Sequence, residues 1–153
     1  MRGDVVMEGY WRNEEANAAS FPAGWLRTGD IGRFDGRGRL HVLDRRHDMT
    51  ISGGSNIYPR EVEDVLIRHP AVKEAIVFGV PDAEWGENVV AAVVAREGQT
   101  SLDAETLIAF CRDHLASFKK PKRIEFLAEL PKNAYGKVLR RKLRDRFDSQ
   151  RSG

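Results

Sequence analysis

One cysteine, Cys111, stands in 153 residues, so no internal disulfide can form. It lies in an apolar helical pattern with Leu107, Ile108 and Leu115, which reads as a core position and not as a nucleophile. Long apolar runs are missing too. The longest, Val89 to Ala95, falls far short of the roughly 20 residues that a membrane helix needs, and no signal-peptide pattern opens the chain. A reducing, cytoplasmic setting without stable membrane insertion is the default expectation. Net charge is only +2, too little by itself to argue for nucleic acid. There is no internal repeat, no low-complexity segment and no cluster of metal-ligand spacing.

What is present is globular composition: 41% apolar and 31% charged residues, enough for one core at this length. The basic residues are unevenly placed. Lys119, Lys120, Lys122 and Arg123 form one run, and Lys137, Arg140, Arg141, Lys142 and Arg144 another. The chain divides near Asp44. Before it, glycines and turns separate short segments. Asn13 to Ala16 reads as a helical turn, and Ile31–Phe34 with Leu40–Leu43 as a hairpin across a glycine-rich turn. This part has too few apolar residues for its own core and reads as the end of a preceding domain.

After Asp44 the elements mix. Residues 49–52 form a short strand ahead of Gly53-Gly54. Pro59 suits the first position of a helix over 59–69, with Val62, Val65 and Leu66 on one face. Strands are expected at 75–80 and 88–96, separated by a turn at Pro81-Asp82, and at 124–127. Helices are expected at 103–116 and at 138–147, the last with Leu139, Leu143 and Phe147 on one face. The fold class is α+β, a short antiparallel or mixed sheet flanked by helices.

Three segments carry more than pattern. In Gly24-Trp-Leu-Arg-Thr-Gly-Asp-Ile-Gly32, glycines flank a strand end that presents Asp30, whose carboxylate can accept two hydroxyl hydrogen bonds. Taken alone, Thr-Gly-Asp is a common turn. From Asp44 to Glu63 a charged bend with Arg45, Arg46 and His47 leads through a strand and a diglycine turn into a helix start. A charged bend between two domains can serve as a hinge; a surface loop with weak ion pairs has the same composition. In Leu130-Pro-Lys-Asn-Ala-Tyr-Gly-Lys-Val-Leu-Arg140, a polar loop and Gly136 lead to Lys137 just before a helix. A lysine there can neutralise a carboxylate or phosphate during reaction, or simply be solvated.

Together, in this order, these segments resemble the adenylate-forming superfamily: acyl- and aryl-CoA synthetases, peptide adenylation domains and beetle luciferases. The resemblance runs from Gly9-Tyr10-Trp11 to about Leu143. The stretch from Ile51 to Glu63 is similar to the fatty-acyl or benzoate-type CoA ligase branch.

The resemblance implies a mobile C-terminal lid at 45–147, preceded over 1–44 by the end of a large AMP-binding domain and followed by a disordered tail over 148–153. It implies activation of a small carboxylic acid with ATP and Mg2+ to an acyl-adenylate, then attack by the CoA thiol with release of AMP. Asp30 is expected to bind ribose hydroxyls and Arg45 to support the same nucleotide. Lys137 is the expected adenylation lysine. His47 stands at the hinge, where the family commonly has Asp or Lys, and histidine changes charge near neutral pH. Ser52, Gly53 and Gly54 are expected to leave room for pantetheine. Trp85, Phe118, Lys120 and Lys122 are expected to hold the nucleotide end of CoA by stacking and phosphate pairing.

The superfamily's phosphate loop and acyl pocket do not occur in these residues, so the isolated chain is expected to be inactive without its own N-terminal domain. Two other readings stay open: an adenylation domain serving a carrier protein, and a basic nucleic-acid-binding module. A homo-oligomer is equally open.

Overall fold

The computed structural model describes residues 1–99 and 101–149. The chain divides into two compact units, Met1–His47 and a second that starts at Asp48. The division follows His47 and not Asp44, because the last strand of the first unit runs on through Arg45. Beyond that strand, the Arg46 N–H donates to the Gly29 carbonyl at 2.8 Å.

In the first unit, helix α1 (Glu14–Ser20) starts at Asn13, whose side chain accepts the Ala16 N–H at 3.0 Å. Strands β1 (Asp30–Phe34) and β2 (Leu40–Arg45) form the expected antiparallel hairpin. Asp35 organises its turn, accepting the backbone N–H groups of Arg37 and Arg39 on one carboxylate oxygen. His41 and Arg39 approach the other oxygen, and these contacts, His41 first, hold the carboxyl down at about 2. No residue of this unit is buried, and Trp11, Phe34 and Val42 are largely exposed. That agrees with a segment too poor in apolar residues to build its own core.

The second unit begins with β3 (Thr50–Ser52) and β4 (Ser55–Ile57), an antiparallel pair joined by Gly53-Gly54. Both glycines have positive φ, +55° and +75°, as a two-residue hairpin turn requires. Helix α2 (Pro59–Arg68) follows, with Pro59 in its first turn. Strands β5 (Val72–Asp82) and β6 (Gly86–Ala95) pair along their whole length. Helix α3 (Ala104–His114) is capped by Asp103, which accepts the Thr106 N–H at 2.7 Å, and this bond lowers the pKa of Asp103. Strand β7 (Arg123–Phe126) runs parallel to β6, and helix α4 (Arg140–Ser149) ends the described chain. The sheet order is β4-β3-β6-β5, with β7 also on β6, so the sheet is mixed and β5 is an outer strand.

Several local expectations shift. Pro81-Asp82 is not a turn: Pro81 pairs with Glu87 and Asp82 with Gly86. The turn lies at 83–85, where Asp82 accepts the N–H groups of Glu84 and Trp85 at 3.1 and 3.0 Å. Helix α4 starts at Arg140 and not at Val138, because Val138 bridges back to Lys132. Leu139 therefore precedes the helix and stays partly exposed, while Leu143 and Phe147 are buried. Asp148 and Ser149, expected in the tail, are helical; residues 150–153 lie outside the described residues.

Both faces of the β5–β6 ladder are covered. Val77, Val89, Ala91 and Val93 pack with Val62, Val65 and Leu66 of α2 and Leu107 and Cys111 of α3. Ile76, Phe78, Val90 and Ala92 pack with Leu143 and Phe147 of α4, where the Phe78 and Phe147 rings meet edge to face at 5.3 Å. Hence Val89 to Val94 are buried without a break, the continuous apolar run of a strand sheltered on two sides.

The two helical layers are tied together around the outer edge of β5. Glu63 of α2, 5% exposed, accepts the outward N–H of Val77 at 2.8 Å and pairs with Arg140 of α4 at 2.7 Å. Arg140 also lies 3.2 Å from Asp48. One turn along α4, Arg144 pairs with Glu87 at 2.6 Å, and the second oxygen of Glu87 accepts the Ile51 N–H at 2.9 Å. A Cβ at Gly79 would come within 2.9 Å of that carboxylate, so the strand is bare where Glu87 crosses it.

Removing one partner of a buried pair leaves an uncompensated charge. Arg140→Ala should therefore lower the stability of this chain by about 3 kcal/mol in urea unfolding. A loss no larger than the roughly 0.5 kcal/mol of an exposed pair would contradict the clamp. Burial pushes the Cys111 thiol up to about 11. At pH 8 it should react with a disulfide reagent only as fast as the second unit unfolds, and rapid reaction in native buffer would disprove its core placement.

Candidate functional site

In the first unit, Asp30 and Arg45 stand directly opposite each other across the β1–β2 hairpin. Their side chains meet at 3.1 Å, guanidinium nitrogen to carboxylate oxygen, and both stay partly exposed. The hairpin thus brings the two nucleotide candidates together. His47 is exposed and is the last residue of that unit, next to the division of the chain.

In the second unit, a surface groove of about 300 Å³ is lined by Ser52, Gly53, Trp85, Phe118, Lys120 and Lys122, with Ser55 and Ser117. Six of the seven residues singled out for CoA meet there from three separate stretches of chain. Gly54 is the exception: it completes the turn, and a Cβ there would face open space. The β5–β6 turn carries Trp85 to the groove, and the segment between α3 and β7 carries Phe118 to Lys122.

Gly53 is needed where it stands for two reasons. Its φ is +55°, and a Cβ would lie 2.8 Å from Cε3 of the Trp85 ring. Its N–H donates to the Trp85 carbonyl at 2.9 Å, so backbone and ring are locked together. Over that ring sits the Lys122 ammonium, 4.0 Å from the centroid, a cation–π contact. Phe118 and Trp85 are each roughly half exposed, so part of each ring is open to solvent.

The basic run is sorted by its partners. Lys119 is held by both oxygens of Glu61, at 2.7 and 2.8 Å, with its ammonium 5.8 Å from the centroid of the Phe118 ring. Arg123 pairs with Glu125. Lys120 and Lys122 line the groove, and no carboxylate among the described residues pairs with either ammonium. Two cations and two aromatic rings lining one groove suit a purine carrying phosphates. Sequence reasoning placed Asp82 in a turn but not as the acceptor that shapes the turn carrying Trp85, and it gave Glu61 no part in fixing the segment that carries Phe118. The diglycine pair was the available signal for the missed strand β4.

Lys137 lies elsewhere, in the exposed loop between β7 and α4, and does not line the groove. Gly136 before it has φ +79°, and Tyr135 is almost wholly exposed. Within the second unit the structure therefore presents two separate candidate sites, the groove and the Lys137 loop.

Both Gly53→Ala and Gly54→Ala place a side chain at positive φ, which costs about 1–2 kcal/mol. Gly53→Ala should cost more, and only it should shift the tryptophan fluorescence, because only there does the new methyl strike Trp85. Equal losses with unchanged emission would refute the packing of Gly53 on the ring.

Residues 61–137 match the AMP-binding enzyme C-terminal domain family. A 2-succinylbenzoate–CoA ligase of Bacillus licheniformis is 52% identical over 143 residues, which cover 94% of this chain and 29% of that protein. A long-chain-fatty-acid–CoA ligase of Bacillus subtilis is 50% identical over 94% of this chain and 25% of its own length. Among solved structures, the o-succinylbenzoate CoA synthetase of Bacillus subtilis, in complex with an acyl-adenylate intermediate, superimposes with a TM-score of 0.87. It is 48% identical over 94% of this chain and 29% of that one. This chain spans less than a third of the length of these relatives. Motif order, fold and identity agree: the chain belongs to the AMP-binding enzyme C-terminal domain family.

Proposed function

We propose that the chain serves as the C-terminal part of an AMP-forming acid–CoA ligase. In the first half-reaction a carboxylate oxygen of a small acid attacks the α-phosphorus of ATP, forming a mixed anhydride and releasing pyrophosphate. Mg2+ accompanies ATP as part of that substrate. In the second, the CoA sulfur attacks the acyl carbon, the bond to the phosphate oxygen breaks, AMP leaves and the thiol proton is lost. The family likeness supports this reading, and the observation that carries it is the groove, where aromatic faces and two cations converge.

Each candidate then has a physical role. Lys137 offsets the repulsion of two anions brought together at phosphorus. Asp30 accepts ribose hydroxyls, and Arg45, paired with it, orients the carboxylate and adds a cation to the nucleotide site. The groove takes the nucleotide end of CoA, its base against Trp85 or Phe118 and its phosphates beside Lys120 and Lys122. The Ser52-Gly53-Gly54 turn leaves the pantetheine arm room. His47 is the pivot about which the second unit turns, so that the Lys137 loop and the groove serve successive half-reactions. ATP and the acid are held by an N-terminal body that these residues do not include. No helix among the described residues is long and apolar enough to cross a membrane.

The test is a fusion of this chain to the body of the Bacillus licheniformis ligase, in place of that protein's matching segment. Lys137→Ala should lower acid-dependent ATP–pyrophosphate exchange about a hundred- to a thousandfold, the usual cost of one lost charge-stabilising contact. Thioester formation from supplied acyl-adenylate should be unaffected. Exchange at the full rate in Lys137→Ala would end the proposal.

A further inference from the structure

We propose that Asn133 is a positioning residue that sets Lys137 for the adenylation step; this rests on the role of Lys137 proposed above. The loop from Lys132 to Val138 is closed at its base by the antiparallel bridge between those two residues and by the Leu139 N–H, which donates to the Pro131 carbonyl at 2.8 Å. One flank is held by Lys132 to Glu74 at 2.6 Å, the other by Arg140 to Glu63. Nothing in those anchors fixes the tip, which is solvent-exposed throughout. Asn133 does that.

Its Oδ1 accepts two backbone N–H groups, from Tyr135 at 3.0 Å and from Lys137 at 2.9 Å. Its own N–H donates to the Lys137 carbonyl at 2.9 Å, and its carbonyl accepts the Gly136 N–H at 2.9 Å. Both the amide N–H and the carbonyl of Lys137 are therefore bonded to one residue, four positions earlier. A lysine stem has four rotatable bonds, so the only part of Lys137 that the fold can place is its root. Without the Asn133 side chain, the N–H groups of Tyr135 and Lys137 turn to water and the root is released. A misplacement of about 1 Å can cost on the order of a hundredfold in a positioned reaction. Asn133 touches no reacting atom; it acts through the backbone of Lys137. The groove is built by other segments, so its half-reaction does not depend on this bond network.

The first readout needs no activity. In this chain alone, Asn133→Ala should speed amide exchange at Tyr135 and Lys137 at least tenfold and leave the β5–β6 ladder protected. Unchanged exchange at both amides overturns the proposal. In the fusion, Asn133→Ala should slow acid-dependent ATP–pyrophosphate exchange about ten- to a hundredfold, with thioester formation from supplied acyl-adenylate unchanged. Asn133→Asp keeps the accepting oxygen and should recover most of the rate. Asn133→Ala combined with Lys137→Ala should be no slower than Lys137→Ala alone. Equal loss in both half-reactions, or a multiplied loss in the double variant, shows a role not exerted through Lys137 and overturns the proposal. If Lys137→Ala itself exchanges normally, the reading of Lys137 fails instead, and amide exchange still judges the loop.

Discussion

The pairing of Glu63 with Arg140 around the outer edge of β5 is the constraint on which the second unit is organised. A sheet with helices on both faces has layers that cannot touch through it. They can meet only past an edge, and an edge strand also presents N–H groups that need partners. Glu63 satisfies both needs at once. It accepts the Val77 N–H from the α2 side and binds the first residue of α4 from the other. One turn on, Arg144 pairs with Glu87 of β6, which ties α4 to the sheet itself. A carboxylate this deeply buried is tolerable because a cation and a backbone donor are already in place.

That clamp has a consequence for chemistry. Helix α4 begins immediately after the loop that carries Lys137, so its first residue is also the anchor of the loop's downstream flank. The upstream flank is anchored to β5 through Glu74. Two ion pairs at the base and one asparagine at the tip give a long, flexible side chain a defined origin. The groove is built differently. There the rigid elements are a diglycine hairpin pressed against an indole and an Asp-initiated turn that carries that indole. Its cations remain available because neighbouring basic residues take the carboxylates: Lys119 takes Glu61 and Arg123 takes Glu125. A run that reads as uniform charge in one dimension is divided by the fold into members paired with carboxylates and members that line the groove.

Local pattern alone determined much of this protein. Pro59 with Val62, Val65 and Leu66 specified α2, and Asp103 with Leu107 and Cys111 specified α3, because caps and 3.6-residue periodicity act within a few turns. The glycine-rich turn after Phe34 specified the first hairpin, and the shortage of apolar residues before Asp44 already excluded a core there. Three motifs in order carried the resemblance to the family, and that resemblance implied Trp85, Phe118, Lys120 and Lys122 as one group.

Only the tertiary structure decided the rest. Pro81 reads as a turn residue but lies in an outer strand, β5, where pairing with β6 outweighs its local preference. Val138 and Leu139 fit a helical stripe, yet the bridge to Lys132 keeps them out of the helix. The partnership of Glu63 with Arg140 spans 77 positions, and that of Lys119 with Glu61 spans 58. No local window can contain such pairs. Propensity and periodicity are properties of neighbours in sequence, whereas the roles of charges and turns here are set by what the folded sheet brings beside them.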